Sequence, residues 1–589
     1  MRELRTLLPY LRRYRAGVAA GLVLVLLANT LSLAVPYVLK LGVDFLERPD
    51  ATRAGVLGYA AVVVFLAVLG GAARYGQREF LNGISRRVEY DLRNDFFRHL
   101  LRLDGAFYGR TRTGDIMSRA TNDIQAVRMV AGPAYMYLVN TVVMTGFALA
   151  LMVYISPRLT LLALTPLLLL PPVTLWYGKI IHDRFERIQS HFSDLSTAVQ
   201  ENLSGARIVK AYNQEEPQTR RFDHLCREYL ERNMDLVRSS GPFRPLLTLL
   251  GGMGMAIVLW AGGRGIVRGE ITVGDFIAFS LYLGMLAWPM ISLGWVVNLF
   301  QRGAASMGRI NSVLRTASLV QDPELPTQLP EVRGELEFQA VSFRYPGTQR
   351  LVLDSVSFRV PAGSTLAVVG PTGSGKSTLV ALLARLYDPS GGKILLDGVP
   401  LTELPLEGLR AAIGVVPQDT FLFSDTIRNN LTLGFDQDDE ELVESRMRDA
   451  ARVARLDDTV ERFPSGYDTL LGERGINLSG GQRQRATLAR AIGRDPRVLI
   501  LDDALSAVDT HTETEILAGL RGVLAGRTSV VVSHRVSAVM NADHIIVLDD
   551  GRLVEQGSHA VLLRLGGLYA TLQRRQLLEE DLQAAVAGE

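Results

Sequence analysis

The chain has 589 residues, of which 48% are hydrophobic, and its mean hydropathy is +0.16. A chain of this length is too long to fold around one hydrophobic core, so at least two domains are expected. The apolar composition favours a membrane part joined to a soluble part. The 63 basic and 61 acidic residues leave a net charge of +2, which disfavours nucleic acid as a partner. The single cysteine, Cys226, excludes an intrachain disulfide and is interpreted as a small residue tolerated in a cytosol-facing helix.

Six long apolar segments in the first half of the chain predict a polytopic membrane domain. Each is long enough to cross roughly 30 Å of hydrocarbon as a helix. Buried helices of a soluble protein are a poor explanation for six such segments. The Arg-rich start places the N-terminus in the cytoplasm, and the first apolar segment is too long for a signal peptide, so it is interpreted as retained. The predicted spans are residues 16–38, 56–73, 135–155, 159–178, 246–263 and 276–300.

The segments after the second and fourth predicted spans are long, Arg-rich and helical in pattern, and an even number of spans puts both in the cytoplasm. The C-terminus falls on the same side, and the expected location is the bacterial cytoplasmic (inner) membrane. A Pro-rich stretch then predicts a linker, and from Gly334 onward β-branched runs alternate with helical patterns, typical of a largely parallel α/β domain. The predicted divisions are a transmembrane domain over residues 1–320, a linker over 321–333, and the α/β domain over 334–589.

A glycine-rich motif, GPTGSGKS, stands between an apolar strand and a helix and predicts a phosphate-binding loop. Gly370, Gly373 and Gly375 permit a turn whose amides face phosphate oxygens, and the following helix adds its positive end. Lys376 is expected to reach the β and γ phosphates, and Ser377 to bind Mg²⁺. An ordinary Gly-rich turn is disfavoured because five of the 63 basic residues are lysines, and one of them stands where a compact charge is needed.

Two further motifs complete the pattern. The run RVLILD predicts a buried strand ending in Asp502, which is expected to hold Mg²⁺, and places Asp503 nearest the γ-phosphate and the attacking water. An ATP-hydrolysing site usually carries a longer Glu at this second position, so the carboxylate of Asp503 is one methylene short. The motif LSGGQ at residues 478–482 puts small residues before a helix, which suits either a phosphate or an ordinary helix cap.

In this order, the phosphate loop, LSGGQ and ILDD resemble the nucleotide-binding domain of ABC transporters, and the six spans ahead of them resemble one half of a type IV (B-type) ABC exporter. The implied fold is a membrane all-α six-helix transmembrane domain fused to an α/β P-loop ABC ATPase domain. The resemblance covers nearly the whole chain and implies ATP and Mg²⁺ as cofactors in a protein of the lipid bilayer. In this family each ATP is held between the P-loop of one ATPase domain and the LSGGQ of a second.

The resemblance also assigns roles to other motifs. Tyr345 in FRYPG corresponds to the aromatic residue that stacks on adenine, and Gln418 in VVPQD to the Q-loop residue that faces the metal and the membrane domain. Glu473 in GERG matches the X-loop, Asp509 in SAVD the D-loop, and His534 in VVSHR the switch histidine. The loops that contain the pair Gly114 and Asp115 and residues 205–216 resemble the family's coupling loops, the second of which docks on the partner's ATPase domain.

The site residues implied in this way form three sets. The nucleotide-binding set is Tyr345, Gly370, Pro371, Thr372, Gly373, Ser374, Gly375, Lys376, Ser377, Thr378, Ser479, Gly480, Gly481, Gln482 and Asp509. The metal ligands are Ser377, Gln418 and Asp502. The catalytic positions are Asp503, which occupies the place of the base, His534 and Gln418.

Asp503 in place of the family's catalytic Glu predicts a site that binds ATP but hydrolyses it poorly. A carboxylate withdrawn by about 1 Å can cost on the order of 100-fold in rate. Because LSGGQ is intact, the chain resembles the degenerate-site subunit of a heterodimeric multidrug exporter, whose second half-transporter carries the catalytic Glu. Two alternatives stay open: a slow homodimer that uses Asp503 as the base with His534 intact, and an ATP-gated channel or regulatory subunit.

The predicted spans hold few ionisable residues, which disfavours a densely charged substrate or a buried proton relay. The expected function is ATP-driven export of hydrophobic or amphipathic compounds, with drugs, lipids and peptides all left open. Polar and aromatic residues of the spans either line an amphipathic cavity or pack between helices. These residues are Asn29, Asn140, Thr141, Thr145, Tyr282, Trp288, Ser292, Trp295 and Asn298.

Overall fold

A computed structural model describes residues 2–327, 331–435, 439–508, 510–533 and 535–587. The chain divides into two compact units, one formed by Met1–Leu101 with Thr113–Thr316 and the other by Arg102–Arg112 with Ala317–Glu589. The first unit is helical throughout its described residues, and the second combines helices with two β-sheets. The domain limits predicted at residues 320 and 334 stay predictions.

Fourteen α-helices lie within the described residues 2–316, and α4 is the one that groups with the second unit. They are α1 Leu8–Arg13, α2 Arg15–Leu46, α3 Arg53–Leu100, α4 Gly105–Arg110, α5 Thr113–Ser118, α6 Ile124–Met129, α7 Tyr135–Ile155, α8 Pro157–Leu167, α9 Leu170–Ser204, α10 Ala206–Ala211, α11 Glu215–Ser240, α12 Phe243–Ile257, α13 Gly263–Val267 and α14 Val273–Leu314. A 3₁₀ turn covers Arg2–Leu7, and π-helical turns cover Arg119–Asp123, Val130–Ala134 and Val258–Gly262.

Four helical stretches among the described residues are long and apolar enough to cross a membrane: Arg15–Leu46, Arg53–Leu100, Thr113–Ile155 and Glu215–Val267, the last with a turn between α11 and α12. They contain the predicted spans one, two, three and five. The fourth predicted span is not one helix, because α8 ends at Leu167 and α9 begins at Leu170 with a proline in its first turn. The sixth lies within the long helix α14. The count of six spans stays a prediction.

Polar side chains of the helical unit pair between helices. Asn29 on α2 donates from Nδ2 to Oδ1 of Asn140 on α7 at 3.0 Å, and the hydroxyls of Thr141 and Ser292 lie 3.3 Å apart. The fully buried Tyr282 donates from its hydroxyl to the carbonyl of Leu33 at 2.9 Å. Of the two interpretations open from the sequence, helix packing therefore applies to these five residues, because their polar groups are satisfied by neighbouring helices.

The aromatic residues of α14 behave differently from Tyr282. Trp288 is 65% exposed and Trp295 is 44% exposed, and the Trp295 ring meets the edge of Tyr137 with centroids 5.1 Å apart. Asn298 is also exposed and Thr145 is half-buried. These residues remain candidates for a surface that faces lipid, substrate or a second chain.

The second unit contains ten strands and ten further helices among its described residues. The strands are β1 Leu336–Phe343, β2 Leu353–Val360, β3 Thr365–Val369, β4 Gly391–Leu396, β5 Val399–Pro400, β6 Ile413–Val416, β7 Val498–Asp502, β8 Thr528–Val532, β9 His544–Asp549 and β10 Arg552–Gly557. The helices are α15 Lys376–Leu383, α16 Leu406–Ala412, α17 Ile427–Leu431, α18 Glu440–Val453, α19 Asp457–Val460, α20 Gly480–Gly493, α21 Thr510–Leu524, α22 Val536–Val539, α23 His559–Leu565 and α24 Leu568–Ala587. Short 3₁₀ turns cover Leu401–Glu403, Gly466–Asp468 and Glu473–Gly475.

The larger sheet has the order β10-β9-β3-β8-β7-β6 and is parallel except for β10. Its central strands are continuous runs of buried Val, Ile and Leu, as expected when helices cover both faces of a parallel sheet. The smaller sheet, β2-β1-β4-β5, is antiparallel and shares a core with α15. The carboxyl ends of β3, β7 and β8 thus meet at one edge.

The predicted linker is held on the second unit at several points. The buried Arg385 donates to the carbonyl of Gln321 at 2.9 Å, and Asp322 accepts from the amide of Leu406 at 2.6 Å. Asp397 accepts from the three successive amides of residues 333–335, where the predicted linker ends. These contacts attach residues 321, 322 and 333 of the predicted linker to the end of α15, the start of α16 and the turn between β4 and β5.

A substitution at Gly132 tests the close helix packing of the first unit. A Cβ there would lie 2.5 Å from Cβ of Ser85 and 3.0 Å from the carbonyl oxygen of Leu81. We expect Gly132→Ala to lower the free energy of unfolding by about 1–3 kcal/mol, measured as a lower Tm of the purified protein.

Gly146→Ala is the matched control, because Gly146 lies in the same apolar stretch and its Cβ would have no neighbour within 4 Å. Equal Tm values for the two variants would contradict the packing described around Gly132.

Candidate nucleotide site

The candidate site is built on the turn between β3 and α15. Gly370, Gly373 and Gly375 all have positive φ, at 154°, 82° and 102°, values that glycine adopts at little cost. Gly375 is the residue immediately before α15, so the turn leads directly into the helix N-terminus. Backbone amides at such an end favour an anionic group.

Gly370 is also required by space. A Cβ at this position would lie 2.1 Å from the carbonyl oxygen of Leu548 at the end of β9, and 2.8 Å from Oγ of Ser374. At Gly373, by contrast, a Cβ would have no neighbour within 4 Å. The turn is therefore packed tightly against the sheet on one side and open on the other, which leaves room for phosphate groups.

Lys376 is buried at the start of α15, with 6% of its surface exposed. Its Nζ donates to the carbonyls of Gly370 and Pro371, both at 2.8 Å, and these two bonds use two of the three N–H groups of an ammonium. Burial lowers the pKa of Lys376 below the ordinary lysine value, while the nearby carboxylates of Asp503 and Asp502 act in the opposite direction. The structure thus brings the lysine and both carboxylates of the sequence motifs together.

Other hydroxyls of the turn and helix differ in their surroundings. Oγ of Ser374 is buried without a hydrogen-bond partner among the described residues, and Ser377 and Thr372 are exposed. Thr378 is buried and its hydroxyl lies 3.0 Å from the hydroxyl of Tyr345, whose ring meets Tyr387 edge-on. A buried hydroxyl without a partner, open space over the turn and a buried ammonium fit a triphosphate with Mg²⁺.

Asp502 ends β7 and is 5% exposed, and Asp503 follows it and is 8% exposed. The amide of Asp503 donates to the carbonyl of Val532 at 2.9 Å, so its backbone is attached to the end of β8. Asp503 also has a φ of 45°, in the left-handed region, where Asp and Asn are more common than longer side chains. Its backbone position is set by the sheet edge.

The LSGGQ motif begins α20. Ser479 is the N-cap, accepting from the amide of Gln482 at 3.3 Å, and Gln482 returns the contact by accepting from the amide of Ser479 at 2.8 Å. This capping box uses the motif's two polar side chains, while Ser479 remains exposed and Gly480 and Gly481 remain half-buried. The helix cap that the sequence suggested is present, and it presents the helix N-terminus to solvent.

The remaining predicted residues lie around this edge or outside the described part. Gln418 is exposed and follows β6, the strand next to β7, so it lies at the same sheet edge as Asp502. Glu473 is exposed in a 3₁₀ turn upstream of LSGGQ. Asp509 and His534 lie outside the described residues, so their predicted roles stay predictions.

Sequence reasoning missed Gln484, which lies two residues after LSGGQ. Its side chain is buried and contacts the turn after Asp503: Nε2 donates to Oγ of Ser506 at 3.0 Å, and Oε1 accepts from the amide of Ala507 at 2.9 Å. One signal in the sequence could have pointed to Gln484: it is a polar residue, flanked by two arginines, at a helix position that faces the interior. The sequence alone does not reveal what such a residue contacts.

The segment that resembles the first coupling loop is divided between the two units. Residues Arg102–Arg112 group with the ATPase unit, where Asp104 accepts from the hydroxyl of Ser318 at 3.2 Å and a Cβ at Gly105 would touch the ring of Tyr387. The pair Gly114 and Asp115, which carried the resemblance, lies in the other unit. The contacts with the ATPase fold are made by the residues just before that pair.

Comparison with known proteins gives a consistent result. Family models match residues 18–290, as an ABC transporter transmembrane region, and residues 353–506, as an ABC transporter. The multidrug resistance-like ATP-binding protein MdlA of Escherichia coli (strain K12) is 39% identical over 98% of this chain and 96% of its own length. An ATP-dependent lipid A-core flippase of Aromatoleum aromaticum is 35% identical over 98% of this chain and 97% of its own length. A structure of a bacterial Atm1-family ABC exporter with ATP bound has 30% identity and a TM-score of 0.78, covering 95% of this chain and 99% of that one.

The chain belongs to the ABC transporter family, as a type IV (B-type) exporter half-transporter with a transmembrane domain fused to an ATPase domain. It is therefore an ATP-hydrolysing translocase, and the predicted fold class and enzyme class are confirmed. Three sequence predictions remain predictions: the roles of individual site residues, the degenerate site and the heterodimer.

Gly370→Ala tests the packing of the phosphate turn in nucleotide-free protein. Because a Cβ at Gly370 would collide with the carbonyl oxygen of Leu548, the turn has to move, and we expect a lower Tm. Gly373→Ala meets no neighbour and costs roughly 1–2 kcal/mol for its positive φ alone. A Gly373→Ala protein with the lower Tm of the two would contradict this account.

The burial of Lys376 predicts an alkaline limit to nucleotide binding. Because its pKa lies below 10.5 in the free site, the ammonium begins to lose its proton at lower pH than an exposed lysine. Above that pKa, Lys376 has to take up a proton again when the nucleotide binds. The affinity for the nucleotide therefore falls by up to about tenfold per pH unit. Fluorescent ATP-analogue titrations between neutral and alkaline pH measure this fall.

Lys376→Arg is the control, since a guanidinium does not titrate in this range. Its affinity, whatever its level, is expected to show no such alkaline fall. The same decline in both proteins would assign the titration to another group.

Proposed function

We propose that this chain is the degenerate-site half of a heterodimeric ABC exporter, which moves hydrophobic or amphipathic compounds across the bacterial inner membrane. The observation that carries the proposal is Asp503, one methylene shorter than the family's catalytic Glu, at a backbone position set by the sheet edge. A consensus site completed by a second half-transporter is proposed to carry most of the ATP hydrolysis.

In this proposal the site on this chain holds ATP and Mg²⁺ firmly. Lys376 and the amides of the glycine turn bind the phosphates, Ser377, Asp502 and Gln418 hold Mg²⁺, and Tyr345 stacks on adenine. Mg²⁺ held by these residues would supply positive charge that offsets the charge of the phosphates. The burial of Lys376 and the hydroxyl of Ser374, which lacks a described partner, support a site made for a polyanion.

The reach of Asp503 is the weak point of the same site. The Asp503 amide is bonded to Val532, and its carbonyl lies 3.4 Å from Nε2 of the buried Gln484. Because both sides of its peptide backbone are attached, the backbone does not shift forward to restore the missing length. A misplacement of about 1 Å in a catalytic group costs on the order of 100-fold in rate.

An intact LSGGQ supports the pairing with a different chain. ABC ATPase domains work in head-to-tail pairs, so Ser479, Gly480, Gly481 and Gln482 of this chain would complete the partner's site. Their capped helix N-terminus faces solvent, where a partner's nucleotide would meet it. Two copies of this chain would instead place Asp503 in both ATP sites. Each site would then combine an intact LSGGQ motif with a poorly placed base.

The second coupling loop also suits a partner. In this chain Ile208 is 65% exposed and Tyr212 is 73% exposed, on and just after the short helix α10. Exposed apolar side chains at the tip of a long helical extension favour docking on another protein surface. In this family that surface is the partner's ATPase domain.

The proposed substrate class follows from the membrane unit and the relatives. MdlA is described as multidrug resistance-like and the Aromatoleum protein as a lipid A-core flippase, and both transport classes involve amphipathic molecules. The exposed Trp288 and Trp295 offer rigid aromatic surface for such compounds. Both termini are proposed to lie in the cytoplasm.

ATP turnover of the reconstituted heterodimer tests the central claim. Asp503→Asn is expected to leave turnover within about twofold, because the consensus site supplies the rate, whereas Gln in place of the partner's Glu is expected to reduce it by on the order of 100-fold. The chain purified alone is expected to bind ATP with negligible turnover.

Robust turnover by this chain alone, abolished by Asp503→Asn, would instead establish a homodimer in which Asp503 is the base. ATP-dependent tracer uptake into inside-out vesicles separates an exporter from an ATP-gated channel or regulatory subunit. Uptake that needs ATP binding but no turnover would favour the channel.

A further inference from the structure

We propose that Gln484 is a positioning residue that couples the two ATP sites through this chain. This inference rests on the proposed function, in which the LSGGQ of this chain and its Lys376 and Asp503 serve different nucleotides. Gln484 stands between those two half-sites, on the helix that LSGGQ begins, and binds the turn that follows Asp503.

The contacts of Gln484 use both ends of its amide. Nε2 donates to Oγ of Ser506 at 3.0 Å and lies 3.4 Å from the carbonyl oxygen of Asp503, while Oε1 accepts from the amide of Ala507 at 2.9 Å. The side chain is 4% exposed, so water does not replace these bonds easily. A buried amide bonded at both ends resists relative movement of the two segments.

Backbone packing joins the same segments. A Cβ at Gly481 would lie 2.9 Å from the carbonyl oxygen of Ala507, and one at Gly480 would lie 3.6 Å from Cβ of Ala507. The first turn of α20 therefore rests directly on the turn bound by Gln484. The LSGGQ helix start and residues 503–507 form one continuous contact.

This arrangement gives a physical route between nucleotides. A nucleotide that draws the N-terminus of α20 toward a partner chain moves Gln484 with it, and the hydrogen bonds carry the displacement to Ala507, Ser506 and the backbone of Asp503. Asp503 adjoins Asp502 and lies close enough to Lys376 to influence its pKa. These contacts would link occupancy of this chain's own site to the geometry of the partner's site.

A double-mutant cycle on the intact heterodimer tests the coupling, with kcat and KM for ATP turnover measured for each protein. Gln484→Leu keeps the size and removes the hydrogen bonds, and Lys376→Ala removes nucleotide from the degenerate site. Each is expected to lower kcat by about 10-fold, and the double variant to be no slower than either alone, because both interrupt the same coupling. KM at the consensus site should change less than kcat.

Thr487→Val is the matched control. Thr487 is buried on the same helix, but its hydroxyl bonds to the carbonyl of Arg483 within α20 and does not reach the turn. This variant is expected to stay within about twofold of the parent, since it removes a buried hydrogen bond without breaking the contact between segments.

Ser506→Ala covers the case in which Gln484→Leu fails to fold, because it removes one partner of Gln484 from an exposed position. It is expected to give a smaller loss of kcat that is again not additive with Lys376→Ala. The role of Gln484 would be overturned if, in both cycles, the loss of kcat in the double variant equalled the product of the two single losses. An unchanged kcat in Gln484→Leu would overturn it as well. Turnover abolished by Asp503→Asn in the parent complex would overturn the proposed function instead, so the two failures are distinguishable.

Discussion

The candidate site depends on the parallel alignment of β3, β8 and β7. Parallel pairing places the carboxyl ends of all three strands at one edge of the sheet, and each end contributes a different part. β3 leads into the glycine turn and Lys376, β7 ends in Asp502, and β8 ends in Val532, whose carbonyl anchors Asp503. The positions proposed to bind phosphate, to bind the metal and to act as base therefore meet although they are far apart in the chain, as is general for ligand sites of open parallel sheets.

In the proposed function, the binding of ATP and its hydrolysis depend on different parts of this site. Binding of ATP is distributed over a turn, a helix end, a buried lysine and a carboxylate. It therefore tolerates the side chain of Asp503 being one methylene shorter than Glu. Hydrolysis depends on the reach of a single carboxylate, which a fixed backbone does not extend. In the proposed function, the one-carbon difference at Asp503 would therefore leave a site that mainly binds ATP.

Polar groups in the helical unit serve packing in the cases where their contacts are described. Asn29 with Asn140, Thr141 with Ser292, and Tyr282 with the Leu33 carbonyl satisfy one another between helices. In hydrocarbon, such groups need partners inside the protein, and a neighbouring helix is the nearest supply. The surface that the helices present outward is then mainly apolar and aromatic.

Much of this protein was predictable from local sequence signals. The glycine turn, the buried strand ending in Asp502, the LSGGQ helix cap and four of the membrane helices each depend on residues adjacent in the chain, whose spacing sets their conformation. The break in the fourth predicted span could also have been expected, because Pro166 and the prolines after Leu170 interrupt helical hydrogen bonding. Tertiary structure alone decided which distant segments touch: the attachment of Asp503 to β8, the bonds from Gln484 to Ser506 and Ala507, and the grouping of residues 102–112 with the ATPase unit. Periodicity and propensity describe how a segment folds and which face is apolar, whereas these contacts depend on strand order and packing between residues that no local pattern connects.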